Sequence, residues 1–413
     1  MKVLPGFICA IFFCVLPAGA EDGLEKAARE VSARIAGKPE RVPDIFDQSI
    51  FRQISLESLT GVLAGIYREN GAVSETLLVS SSAGSANFFF DTERGYRVPA
   101  ELSLDPATGK INGLFFGPAY KKAPVLKNIR ERLAALPGRT GLLVRRLGEK
   151  PENLEARNED AYFAVGSASA LYVLGALVKE GVSWEKVLRL KTADKYPSAG
   201  RLRGWPDGAP LTAHTLAAMM ISEGDNTASD ALVSALGRRT IEADLASLGH
   251  SDPGRLKPFL KASERFRLGT YTEAALKYLN LPVGEKYGFL SSLGTVPPAP
   301  DKVNLSHFGA DRLEWAASPS DLCRLMAYFA GKKEVKSLEI LALNTGLDIP
   351  RGKIIYAGYM GGSGPGLLSM TWLIKNTRSE WFCLSASWNN GNDQLDEKEF
   401  LGLMQSAIGG LED

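Results

Sequence analysis

The stretch FAVGSASALYVLGAL, residues 163–177, opens with a Gly-Ser step and continues as an apolar run. This pattern predicts a turn at Gly166 followed by a helix with Ser167 at its start. A serine hydroxyl is a weak nucleophile unless a neighbouring base takes its proton. The residue one helical turn after Ser167 is Ala170, which carries no base. The stretch therefore has the position of a nucleophile without the base that would activate it.

Two later segments complete a recognisable set: GDN at residues 224–226 and MGGS at residues 360–363. Together with residues 163–177 they resemble the S-x-x-K, S-D-N and K-T-G motifs of the penicillin-binding protein and class A β-lactamase superfamily. The chain is more closely similar to the two-domain β-lactamase-related serine hydrolases, which include the cephalosporin esterase of clavulanate gene clusters. The stretches that carry the resemblance are FAVGSASALYVLGAL, LTAHTLAAMMISEGDNTASDALVSALG, KPFLKASERFRL, LEWAASPSDLCRLM and AGYMGGSGPGLLSMTWLI.

The resemblance implies a mechanism whose proton-handling groups are missing here. In the family a lysine takes the serine proton, a second serine relays it, and a second lysine favours a substrate carboxylate. At these three positions the sequence has Ala170, Gly224 and Met360. Asp225, the remaining ionisable group of the motifs, is mainly structural in the family. We therefore expect a catalytically impaired pseudo-enzyme that binds a peptidoglycan-like, β-lactam-like or protein ligand.

The backbone frame of the site is expected to survive, because its glycines are retained. The resemblance implies an oxyanion hole formed by N–H groups of the nucleophile and the motif strand. The predicted ligand-binding residues are Ser167, Asp225, Asn226, Gly361, Gly362 and Ser363. The predicted partner is a small molecule or peptide of cell-wall or β-lactam type, and we expect no cofactor. We also expect no metal, since His214, His250 and His307 are widely separated in the sequence.

The sequence is also compatible with other functions and other ligand sites. The protein could be an active β-lactamase or esterase that uses Ser167 with a rewired relay through Ser222 or Glu223. No deacylating E-x-x-L-N loop is found, and Glu264, the nearest acidic candidate, is expected in a surface salt bridge. The pocket could be a relic in a protein that acts through other surfaces, or the ligand could bind residues 21–118. Two side chains of the serine helix are set aside, one as packing and one as too distant: Tyr172 and Lys179.

The hydrophobic pattern predicts two domains. Residues 21–118 read as two helices and a four-stranded meander, a small α+β domain similar to the nuclear-transport-factor (NTF2) and cystatin-like class. Residues 120–413 read as a helix and the strand TGLLVRRL, a helical block, three strands and a terminal helix. The predicted fold is an α/β (α+β) β-lactamase/transpeptidase-like domain, in which strands from both chain ends form one antiparallel sheet around the inserted helices.

The N-terminal residues and the charge balance indicate the compartment and the partners. Residues 1–20 have a basic start, an apolar run and an A-x-A site, which predict a signal peptide cleaved before Glu21. The alternative is a membrane anchor, for which the run is short. The protein is thus expected in the periplasm or secreted, without a membrane contact after cleavage. Without Lys2 the chain has 47 basic and 47 acidic residues, which gives no reason to expect nucleic acid as a partner.

The cysteines and the oligomeric state complete these expectations. Cys9 and Cys14 leave with the signal peptide, and two cysteines cannot form a disulfide framework. Cys323 lies in a helix-like segment and Cys383 in a strand-like one, so both are expected as buried thiols. The sequence indicates no oligomeric state.

Overall fold

The computed structural model describes residues 18–35, 42–122, 126–195, 200–294, 312–332, 334–350, 352–392 and 395–412. Most of the predicted signal peptide, residues 1–17, and His307 lie outside them. The chain divides into two compact units, one of residues up to 123 together with 348–353, the other of residues 124–347 and 354–413. Within the described residues, no helix has both the length and the apolar character that a bilayer crossing requires.

The first unit packs helices against an antiparallel sheet. Its elements are α1 (Ala18–Ile35), α2 (Val42–Ile45), α3 (Leu56–Asn70), β1 (Val73–Ser82), β2 (Ser85–Thr92), β3 (Tyr96–Leu104), β4 (Ile111–Phe116) and β5 (Tyr120–Lys121). The strands β1 to β4 are adjacent in sequence order, as in the predicted meander, and β5 pairs with β3. One core joins helix residues such as Val31 to sheet residues such as Phe88 and Val98. The likeness to the NTF2 and cystatin-like class stays a prediction.

Within its described residues, the second unit contains a main sheet of five strands and two short strand pairs. The strands of the unit are β6 (Arg139–Leu147), β7 (Glu152–Arg157), β8 (Phe163–Ala164), β9 (Val187–Arg189), β10 (Pro210–Thr212), β11 (Ala316–Ala317), β12 (Ile354–Gly364), β13 (Leu367–Asn376) and β14 (Trp381–Asn389). The short pairs are β8 with β11 and β9 with β10. The main sheet has the order β12-β13-β14-β6-β7, and every neighbouring pair is antiparallel. Leu143 of β6 lies opposite Ser385 of β14. The prediction that both ends of this segment share one sheet is confirmed.

Helices surround this sheet. They are α4 (Leu126–Ala135), α5 (Ala170–Lys179), α6 (Ala213–Ser222), α7 (Asn226–Leu236), α8 (Arg238–Asp244), α9 (Ala262–Thr270), α10 (Thr272–Asn280), α11 (Val283–Leu293), α12 (Pro319–Lys332), α13 (Val335–Leu341) and α14 (Glu397–Gly409). Residues 170–177 of α5 are all buried, as an apolar sequence on every side of a helix predicts. Full burial of each large aliphatic side chain contributes ~1.5–3 kcal/mol, which holds α5 at the centre of the unit.

The cysteines correct one expectation. Cys323 of α12 and Cys383 of β14 are not free thiols: they form a disulfide, with Cα atoms 5.5 Å apart and a sequence separation of 60. Both are fully buried, so the burial was expected and the bond was not. Helix α12 packs on β14, and this tertiary contact brings the two sulfurs together.

Candidate active site

Ser167 lies where the chain turns from β8 into α5. Residues Gly166–Ser169 form a 3-10 turn that continues directly into the helix, so Ser167 precedes the buried α5 as predicted. Gly166 has φ +52°, a left-handed conformation that glycine adopts without steric cost. The N–H of Val165 donates to the carbonyl of Trp315 at 2.9 Å, which fixes the approach to the turn.

A small cavity of about 20 Å³ opens beside Ser167, and all three motif positions reach it. Its lining residues come from segments far apart in the chain: Ser167, Ser169, Ala170, Val173, Met220, Gly224, Asp225, Asn226, Ser229, Phe259, Leu260, Ala262, Trp315 and Met360. The volume corresponds to roughly one water molecule. The fold therefore brings the altered motif positions to one point around Ser167.

The remaining predicted positions lie on β12 next to this turn and do not line the cavity. Gly362 is in close backbone contact with it: a Cβ at this position would lie 2.1 Å from the carbonyl oxygen of Val165 and 2.6 Å from the nitrogen of Ser167. Gly361 has the Tyr359 ring on its side-chain face. Ser363 is exposed. The oxyanion hole between Ser167 and Ser363 stays a prediction.

Both carboxylate oxygens of Asp225 accept hydrogen bonds from backbone N–H groups. The residue caps α7, where its Oδ1 accepts from the N–H of Ala228 at 3.0 Å, and its Oδ2 accepts from the N–H of Leu202 at 2.9 Å. It is fully buried. Gly224, just before it, has φ +62° at the end of α6. A left-handed glycine is a common helix stop, so the residue in the relay position also has a structural role.

The groups considered for a rewired relay, Ser222 and Glu223, and the acidic candidate for deacylation, Glu264, bond elsewhere. The hydroxyl of Ser222 donates to the carbonyl of Ala218 at 2.7 Å, and Glu223 pairs with Arg201 at 3.0 Å. Glu264 does form a salt bridge, with Arg238 at 2.5 Å, but it is buried and not on the surface as expected. None of the three candidates lines the cavity.

The two side chains set aside on α5 also point away from the cavity. Tyr172 is fully buried and tilted against the ring of His250, and its hydroxyl has no hydrogen-bond partner among the described residues. Burial raises the pKa of Tyr172 well above its ordinary value, so its hydroxyl stays protonated. Lys179 pairs with Asp244 at 2.6 Å. Neither group can serve as a base for Ser167.

One wall of the cavity consists of residues that belong to none of the three motifs and carry no reactive side chain. It is formed by Phe259, Leu260 and Ala262, within KPFLKASERFRL, and by Trp315, within LEWAASPSDLCRLM. Both stretches carry the family resemblance, which was the available clue. The indole N–H of Trp315 donates to the carbonyl of Leu260 at 3.2 Å and joins the two parts of the wall.

Buried acids hold this wall in place. Asp230 accepts from the N–H groups of Ala262 at 2.7 Å and Ser263 at 2.9 Å, and Glu242 accepts from the N–H of Phe259 at 2.9 Å. Burial raises the pKa of Asp230 to about 7, against the opposing effect of its N–H donors. These hydrogen bonds fix the backbone of the wall to the helices that carry Asp230 and Glu242.

Part of the chain is similar in sequence to a known protein family. Residues 124–280 match the sequence model described as the β-lactamase enzyme family. The matched range includes Ser167, Ala170, Gly224 and the wall at 259–262, and it ends before Met360. A comparison with curated proteins found no match.

Three solved structures illustrate the similarity of shape. A β-lactamase from Sphaerobacter thermophilus DSM 20745 is 20% identical, with a TM-score of 0.48 over 70% of this chain and 97% of that one. A mutant of PBP-A, solved as an acyl-enzyme complex with penicillin G, is 18% identical, with a TM-score of 0.46 over 70% and 95%. The TLA-3 extended-spectrum β-lactamase is 15% identical, with a TM-score of 0.49 over 70% and 98%.

Proposed function

We propose that the chain, whose residues 124–280 match the sequence model of the β-lactamase enzyme family, is an exported, catalytically impaired member of that family. In this proposal the pocket at Ser167 binds a peptidoglycan-like, β-lactam-like or protein ligand and does not turn it over. Residues 21–118 are proposed as a small α+β domain that precedes the hydrolase-like domain in the sequence.

The observation that carries the proposal is the chemistry of the cavity. Among the described residues that line it, Asp225 has the one ionisable side chain, and both its oxygens accept backbone N–H groups. Within the described part of the chain, the cavity lining therefore positions no base to take the proton of Ser167. One positioned base contributes ~10²–10⁴-fold to rate, and loss of a cooperating catalytic set removes ~10⁶-fold. Binding needs none of these groups, because hydroxyls, an amide and apolar walls remain.

Export rests on two features. The predicted signal peptide ends at Ala20, and the disulfide between Cys323 and Cys383 is of the kind that persists in oxidising compartments. We expect the mature protein, recovered outside the cytoplasm, to begin at Glu21 when its N-terminus is sequenced. Recovery of full-length protein from the cytoplasm would contradict export.

We expect the native protein to hydrolyse a penicillin or an activated ester no faster than Ser167→Ala. The reason is that the described residues lining the cavity at Ser167 supply no base for its hydroxyl, so removal of the hydroxyl should leave the rate unchanged. Hydrolysis rates and intact mass after penicillin treatment, measured on both proteins, give the result. Turnover that depends on Ser167 would favour an active hydrolase with a rewired relay.

The converse experiment restores the missing groups. Ala170→Lys with Met360→Lys and Gly224→Ser is expected to permit slow acylation of Ser167, visible as an added penicillin mass, with little release. The serine at 224 must adopt the left-handed conformation, which costs ~1–2 kcal/mol. The double variant without Gly224→Ser is therefore the matched control for folding. A well-folded triple variant that forms no adduct would mean that the backbone frame no longer supports acylation.

A further inference from the structure

The cavity at Ser167 contains no cation among its described lining residues. The lysine position of the third motif is occupied by Met360, which is 3% exposed and fills that place with a thioether. The formal charge at the lining is the carboxylate of Asp225. A ligand carboxylate placed here would lose its hydration and gain no counter-charge from the described lining residues, so its binding is disfavoured.

The basic side chains around the wall are bound to other partners. Lys261 lies between two lining residues, Leu260 and Ala262, yet its ammonium contacts Asp194 at 2.9 Å and the hydroxyl of Ser234. Two arginines near the wall are also held in ion pairs: Arg238 pairs with Glu264, and Arg265 pairs with Glu314. Recruiting any of these cations to the cavity would leave a buried acid without its partner.

Apart from Asp225, whose oxygens both accept backbone N–H groups, the described residues that line the cavity are neutral. Some of them are polar, among them Ser167, Ser169 and Asn226, and others are apolar, among them Phe259, Trp315 and Met360. The hydroxyls can donate to a carbonyl oxygen, and the walls can pack on an apolar substituent. The volume of about 20 Å³ admits a group of carbonyl size. Met360, which lines the cavity, has a flexible side chain that can adapt to a larger group.

We infer that the ligand group accepted beside Ser167 is uncharged: an amide, ester or lactam carbonyl with an apolar substituent, and not a free carboxylate. This inference rests on the proposed function, because it assumes that a ligand binds at this cavity. It assigns the pocket a charge preference opposite to the one that a lysine at position 360 would create.

A matched pair of probes tests it: benzylpenicillin, which carries a carboxylate, and its methyl ester, which does not. Isothermal titration calorimetry on the full-length mature protein at neutral pH should give at least about tenfold tighter binding of the ester, equivalent to ~1.4 kcal/mol. Met360→Lys should shift the preference toward the acid, and Met360→Leu, which keeps the position neutral, should retain the preference for the ester. The comparison on the native protein stands even if a variant fails to fold.

The outcomes separate this inference from the proposed function. Equal or tighter binding of the acid without hydrolysis overturns the charge preference and leaves the non-catalytic binding role. Hydrolysis of either probe that depends on Ser167 overturns the binding role. Binding of neither probe, by native protein and by Met360→Ala with its enlarged cavity, overturns both.

Discussion

Reduction of the Cys323–Cys383 disulfide is expected to lower the free energy of unfolding of the second unit by about 4 kcal/mol. The bond closes a loop of 60 residues and thereby restricts the unfolded chain, an effect that grows with loop length. Urea unfolding with and without reductant, followed by tryptophan fluorescence, measures the change.

The control for the disulfide experiment is the double variant Cys323→Ala/Cys383→Ala. Its unfolding midpoint should not respond to reductant, which separates the disulfide from other effects of the reagent. An unchanged midpoint in the native protein, after mass spectrometry has verified that both thiols are free, would contradict the expected contribution of the bond.

Gly362→Ala is expected to destabilise the second unit by about 3 kcal/mol and to abolish the ligand binding proposed at Ser167. The added Cβ would lie 2.1 Å from the carbonyl oxygen of Val165, 2.6 Å from the nitrogen of Ser167 and 2.9 Å from the nitrogen of Ala168. These are backbone atoms, so no side chain can move to make room, and β12 and the serine turn must separate.

Gly364→Ala is the matched control in the same strand. Its added methyl would meet Leu367 at 3.5 Å, an ordinary van der Waals contact, so we expect a change within about 0.5 kcal/mol. Thermal and urea unfolding of both variants provide the comparison. Equal stability of the two would mean that β12 does not press on the turn as described.

The sequence was sufficient to predict that strands from both ends of residues 120–413 form one antiparallel sheet, because strand-like runs such as TGLLVRRL and WFCLSASW are local patterns. The order of the strands in that sheet came only from the tertiary structure. The walls of the cavity could not be assigned in this way. Phe259, Leu260 and Trp315 are ordinary apolar residues, and only their packing around Ser167 gives them a place in the site.

The sequence by itself determined which chemical groups the motif positions contain: Ala170, Gly224 and Met360 have no ionisable side chain in any conformation. Tertiary structure decided what surrounds them. Whether an acid or base from elsewhere reaches Ser167 depends on the partners that long-range packing supplies, and here Glu223 and Glu264 are drawn into ion pairs away from the cavity. The disulfide was decided in the same way, because a bond between residues 60 positions apart requires the helix and the strand to meet first.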